Sequence, residues 1–133
     1  MSLLDIENLS MSIGGTKILA GISLNVAPGE IVAITGESGA GKSMVALSTM
    51  GLLPDRARVT GRVILDGVNI LTAPEATLCR QRGPVMGMVF QEPMTALNPV
   101  QTIGDQVAET IYIHKRLSKS AALDQARDML NRV

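Results

Sequence analysis

Apolar and polar positions alternate through much of the first quarter of the chain, and that period of two predicts strands. Leu4, Ile6, Leu9, Met11 and Ile13 fall mostly at strand spacing between Leu3 and Ile13, before Gly14-Gly15 marks a turn. Ile22, Leu24 and Val26 resume the alternation in a second strand from Ile18 to Val26. Pro28-Gly29 then turns the chain into Glu30-Ile31-Val32-Ala33-Ile34-Thr35, an apolar run expected to be a buried parallel strand. Lys42 to Leu53 has helix length and is stopped by Pro54. Val59, Gly61, Val63 and Leu65 alternate up to Asp66-Gly67, and Val68 and Ile70 follow, which predicts a hairpin.

The period changes in the second half. Thr72-x-x-Glu75, with Pro74 in the first turn, opens a short helix running to about Arg82. Val85 to Phe90 is too apolar for a surface strand and is expected to be a second buried core strand. Thr102-x-x-Asp105 reads as a helix cap, with Ile103, Val107 and Ile111 at i, i+4 and i+8 on one face. Ala122, Ala126, Met129, Leu130 and Val133 make a further stripe, opposite an Asp128–Arg132 ion pair, so the end of the chain reads as a helical hairpin. Antiparallel strands around parallel core strands, followed by helices, make the expected class α/β.

Composition narrows the functions. The 133 residues are 46% apolar and suffice for one small domain. Twelve basic and twelve acidic side chains cancel, and Phe90 and Tyr112 are the only aromatics, so no nucleic-acid partner is expected. Apolar runs fall far short of the roughly 20 residues that cross a bilayer, and Asp5 and Glu7 interrupt any leader-like segment, which predicts a cytosolic chain. The lone Cys79 is expected to be a buried small hydrophobe in a reducing compartment, and the methionines to be gap-filling core. A positive mean hydropathy implies apolar surface that partners would cover.

Candidate chemistry lies at Gly36 to Ser43, GESGAGKS, which fits G-x-x-x-x-G-K-[ST] between the apolar run and the first helix. The four fixed positions would coincide by chance in roughly one chain in two hundred of this length, and the strand-before, helix-after context lowers that further. A ring of backbone N–H groups at the positive end of a helix holds phosphate oxygens. Gly36, Gly39 and Gly41 allow the tight bend, Lys42 supplies a mobile cation for the outer phosphates, and the Ser43 hydroxyl suits Mg²⁺, which prefers oxygen. The residues leave open a catalytic protein and a non-catalytic nucleotide-binding module. A kinase or GTPase would need acceptor or base-recognition motifs not found here.

The whole pattern resembles the N-terminal half of an ABC-transporter ATP-binding subunit, closest to importers of dipeptides, oligopeptides and nickel. The carrying residues are Asn8-Leu9-Ser10, Pro28-Gly29-Glu30, Gly36 to Ser43, and the block Phe90-Gln91-Glu92-Pro93-Met94-Thr95-Ala96-Leu97-Asn98-Pro99 followed by Thr102-Ile103-Gly104. The resemblance implies an incomplete P-loop NTPase (RecA-like) core with an antiparallel β subdomain over 1–91 and a Q-loop segment with the start of a helical subdomain over 92–133. It implies ATP held by Gly36, Glu37, Ser38, Gly39, Ala40, Gly41, Lys42, Ser43 and Met44, and Mg²⁺ at Ser43 and Gln91. Gln91 matches the glutamine that contacts Mg²⁺ and the attacking water; its amide donates and accepts without a competing charge.

Where this family usually places an aromatic on adenine, the chain has Ile13, so modest ATP affinity and weak preference over GTP are expected. The segment after Gln91, through Pro99, is expected to dock on transmembrane permease subunits, and a second ATP-binding subunit to complete the catalytic dimer. The complete subunit would couple ATP hydrolysis to uptake of peptides or related small solutes, peripheral to the cytoplasmic face of the plasma membrane. The signature motif, catalytic glutamate and switch histidine of the family would lie beyond Val133, so these residues alone are expected to hydrolyse ATP negligibly. His114 does not match the switch and is expected to be a solvated helix residue.

Overall fold

A computed structural model describes residues 2–92 and 96–133. The chain forms two compact units, one running to Leu78 and the other spanning Cys79–Val133.

The first unit is built on an antiparallel sheet. β1 (Leu4–Ile13) pairs with β2 (Thr16–Val26) on one side and β3 (Ala57–Leu65) on the other, and β4 (Val68–Asn69) extends the edge, giving the order β2-β1-β3-β4. The expected alternation sets which face is buried. Leu9 and Met11 of β1, Leu19 of β2, and Val63 and Leu65 of β3 are buried, because side chains two apart on a strand share a face and cross-strand partners share it too. Ile6, three residues before Leu9, is buried as well because β1 bulges between them, with Asn8 at φ +50, which returns the alternation to the same face. Arg62 bonds Glu7 across the outer face, Nε to Oε2 at 2.9 Å. The Asp66-Gly67 turn forms as expected, with positive φ at both residues, the conformation a two-residue hairpin needs.

Helix α1 (Lys42–Thr49) covers that core with Val45 and Ser48. Ser48 is fully buried, and its hydroxyl is satisfied by donating to Met44 O at 2.7 Å. The helix ends earlier than Pro54 alone implied. Gly51 takes φ +66, with Gly51 N donating to Ser48 O at 3.1 Å and Leu52 N to Leu47 O at 2.9 Å. That is a Schellman closure, which captures the last carbonyls at a left-handed glycine.

The expected parallel strand at 30–35 is not a strand. The segment is irregular, Ile31 is 96% exposed, and Val32 and Ile34 are exposed as well. A parallel strand holds only when neighbouring strands bond its edges and helices cover both faces; among the described residues no strand pairs with this segment.

The second unit begins within α2 (Glu75–Gln81), which buries Leu78. Cys79, expected in the core, is exposed: one residue turns a helix by about 100°, away from the face that Leu78 buries. The second expected core strand also fails to form. Val85 N and Met86 N both donate to Gln81 O, at 3.0 and 3.1 Å, so the chain coils at the end of α2, and Val89 beyond it is 90% exposed.

Helices α3 (Ile103–Lys115) and α4 (Lys119–Leu130) form the predicted hairpin. Thr102 caps α3, its Oγ1 accepting from Asp105 N at 3.1 Å, and Ser118 caps α4 by accepting from Ala121 N at 3.3 Å. The seam is Ala108 and Ile111 against Ala122 and Ala126, with small residues that let the helices approach closely. Met129, Leu130 and Val133 stay exposed. The chain leaves the helix at Asn131, so the i, i+4 spacing from Asp128 to Arg132 is lost and the ion pair on that face joins Arg127 to Asp124 at 3.4 Å. His114 is half-buried rather than solvated: a Cβ on Gly83 would come within 2.6 Å of its Nε2, so the ring packs on the glycine.

Candidate functional site

Gly36 to Ser43 form an exposed loop that enters α1. Ala40 N donates to Glu37 O at 3.2 Å, closing a turn inside the loop, and Met44 N and Val45 N make the first bonds of the helix to Gly41 O at 2.9 and 3.1 Å. The amides of Gly41, Lys42 and Ser43 therefore precede the first helical bond and are the orphan donors of a helix N-terminus, where the helix dipole is positive.

Gly41 is the N-cap, at φ +88 and with no side-chain cap. A Cβ there would meet Leu19 Cδ2 at 2.7 Å and Ile18 O at 3.2 Å. Only glycine satisfies both the left-handed backbone and the contact with β2. Leu19 and Ile18 thus buttress the loop, a role that strand alternation by itself does not signal.

Lys42 bends back over the loop. Its Nζ donates to Gly36 O and Glu37 O, each at 2.7 Å. An ammonium carries three donors, so two tie the loop's entry to its exit and the third is left for an anion. Ser43 follows at the helix start with its side chain on the exposed side, and Met44 is half-buried. Exposed hydroxyl, orphan amides and a positioned cation are the donor set that a polyphosphate with Mg²⁺ requires, so the residues present fit ATP and its metal. Among the described residues no cluster of three or more His, Cys, Asp or Glu side chains offers a metal site of its own.

Ile13 ends β1, opposite Thr16 of β2 and Ala57 of β3, and is half-buried. The register of β1 on β3 is unbroken from Ser10 to Ile13, so Ile13 shares a face with Met11, and Met11 pairs with Leu19. Leu19 is the residue on which Gly41 rests, so Ile13 and the phosphate loop lie on one face of the sheet.

Gln91 belongs to the second unit. It is exposed, and with Phe90, Glu92 and Ala96 it lines a shallow cavity. Of the block that follows, Pro93, Met94 and Thr95 lie outside the described residues. Asn98 is held to Gln106 of α3 by paired hydrogen bonds of 2.9 Å, a contact absent from the sequence reading.

No helix among the described residues is long and apolar enough to cross a membrane. The oligopeptide transport ATP-binding protein OppD of Mycobacterium tuberculosis is 45% identical over 98% of this chain, which covers 22% of that protein. The dipeptide transport ATP-binding protein DppD of Bacillus subtilis is 42% identical over 98% of the chain and 41% of its own length. The peptidoglycan transport ATP-binding protein YejF of Agrobacterium fabrum is 39% identical over 98% of the chain and 25% of its length. The chain thus spans well under half of each of these relatives. The profile of the family described as ABC transporter matches residues 19–133, taking in the phosphate loop, Gln91 and both helices of the hairpin. On that match over most of its length the chain belongs to the ABC transporter family, which implies a P-loop NTPase fold, of which the mixed α/β structure here shows the antiparallel sheet and the helices.

Proposed function

We propose that this chain is the ATP-binding part of an importer subunit that couples ATP hydrolysis to uptake of peptides or related small solutes. The observation that carries the reading is the Lys42 ammonium, bonded to Gly36 O and Glu37 O above the orphan amides of α1. In this reading Gly36 to Met44 hold the phosphates, with Lys42 neutralising the outer ones, and Ser43 and Gln91 hold Mg²⁺. Gln91 orients water through an uncharged amide that accepts and donates at once. Bound Mg²⁺ supplies charge neutralisation at the phosphate oxygens. Ile13 offers the base an apolar contact in place of an aromatic face. The names of the peptide-transport relatives support the substrate class.

The same reading assigns 1–91 to the β subdomain and phosphate-loop core and 92–133 to the Q-loop segment and the start of the helical subdomain. The segment after Gln91 docks on transmembrane permease subunits, a second ATP-binding subunit completes the site, and the protein works peripherally at the cytoplasmic face of the membrane. The exposed Leu97 supports a docking role for that segment, and the exposed Val100 follows it directly.

Titration of the chain with MgATP, wild type against Lys42→Ala, tests the core of the proposal. Charged hydrogen bonds contribute about 1.5–3 kcal/mol each, so the variant is expected to bind at least about tenfold more weakly. Equal affinity would remove the phosphate loop from the site.

A further inference from the structure

The amide of Gln106 makes three hydrogen bonds to the backbone of the loop that precedes its own helix. Its Oε1 accepts from Asn98 N at 2.9 Å, and its Nε2 donates to Asn98 O at 2.9 Å and to Gln101 O at 3.1 Å. The pairing with Asn98 is the reciprocal N–H and C=O exchange that a neighbouring strand would make, supplied here by a side chain.

The loop is also closed on itself. Val100 N donates to Asn98 Oδ1 at 3.1 Å and Gln101 N to Asn98 O at 3.2 Å, an Asx-type turn. Asn98 is therefore the knot of the loop, and Gln106 ties that knot to α3 one turn beyond the Thr102 cap. Leu97 and Val100 flank Asn98, and Val100 is 87% exposed. Apolar side chains on a freely moving loop would lose much conformational entropy on being ordered by a partner; on a tied loop that cost is met in advance.

We infer that Gln106 is a positioning residue. It clasps the loop around Asn98 to α3, so that the loop presents Leu97 and Val100 to a membrane subunit in one arrangement and moves with the helix when the partner moves. This rests on the docking role proposed above for the segment after Gln91. Gln106 acts through Asn98 and touches neither nucleotide nor metal in that scheme.

Residue-resolved amide hydrogen exchange on the chain tests the clasp, comparing wild type with Q106A and Q106E. The Asn98 amide is expected to exchange about tenfold faster in Q106A, the factor that corresponds to one lost hydrogen bond. Q106E is expected to raise the rate as well, because the carboxylate oxygen in the place of Nε2 has no proton for Asn98 O or Gln101 O. Helical amides of α3 keep their protection, since Thr102 still caps the helix. An unchanged Asn98 amide, or protection lost along the whole of α3, would overturn the clasp.

The docking role is read separately, by co-purification with co-expressed membrane subunits. Recovery is expected to fall severalfold in Q106A and in Q106E; equal recovery of Q106A and wild type overturns the positioning role. If wild type itself does not co-purify while the exchange effect persists, the docking reading falls and the positioning role with it, and only the clasp stands.

Discussion

Gly41 rests on Leu19: a Cβ added to the glycine would lie 2.7 Å from Leu19 Cδ2. The N-terminus of α1, where the phosphate loop ends, is thereby seated on the buried face of β2, and the loop's position depends on a side chain more than twenty residues upstream. Gly41→Ala adds both this clash and a left-handed backbone at a residue with a Cβ. A stability loss of about 2 kcal/mol or more is expected in urea unfolding. Adding Leu19→Ala relieves the clash and not the backbone strain, so the double variant should lose less than the two single losses summed. Strict additivity would show that the contact does not matter.

Lys42→Ala separates binding from folding. The lysine's partners are loop carbonyls at the surface, where water takes over the lost bonds, so its removal should change unfolding free energy by less than about 1 kcal/mol while nucleotide affinity falls as stated above. A large stability loss instead would make Lys42 a structural tie of the loop, with weaker binding as a by-product.

Ile13 shares the sheet face on which the phosphate loop is seated, and in the proposed site its aliphatic side chain gives the base apolar contact without stacking. Ile13→Tyr is expected to raise ATP affinity by about fivefold or more, since base stacking on an aromatic is worth about 1–3 kcal/mol. The wild-type chain is expected to distinguish ATP from GTP only weakly. Strong discrimination by wild type, or no gain from tyrosine, would move the base-contact role away from Ile13.

The uncovered apolar segments should make the chain associate. Ile31 and Val89 are 96% and 90% exposed, on stretches whose backbone is open to pairing with another chain. Ile31→Lys is expected to lower self-association in light scattering, with a stability change within about 0.5 kcal/mol because the side chain contacts little. A large stability loss would show that Ile31 is covered in solution.

Much of this protein was legible from local pattern. The β1–β2 hairpin, the Asp66-Gly67 turn, the Thr102 cap and the helix that opens after the glycine-rich loop are each decided within a few residues by backbone sterics and nearest hydrogen bonds, and each appears where the pattern put it. The segments 30–35 and 85–90 have the composition of buried strands, yet a parallel strand exists only through its neighbours, and composition cannot supply them. Cys79 is exposed and His114 is packed on Gly83 because helix rotation and the turn after α2 decide which side of each residue meets protein. Gln106 reads in sequence as an ordinary polar helix residue. Only the folded chain brings its amide to Asn98, and only the folded chain brings Leu19 beneath Gly41, because contacts between residues distant in sequence depend on where whole elements pack, which no local period encodes.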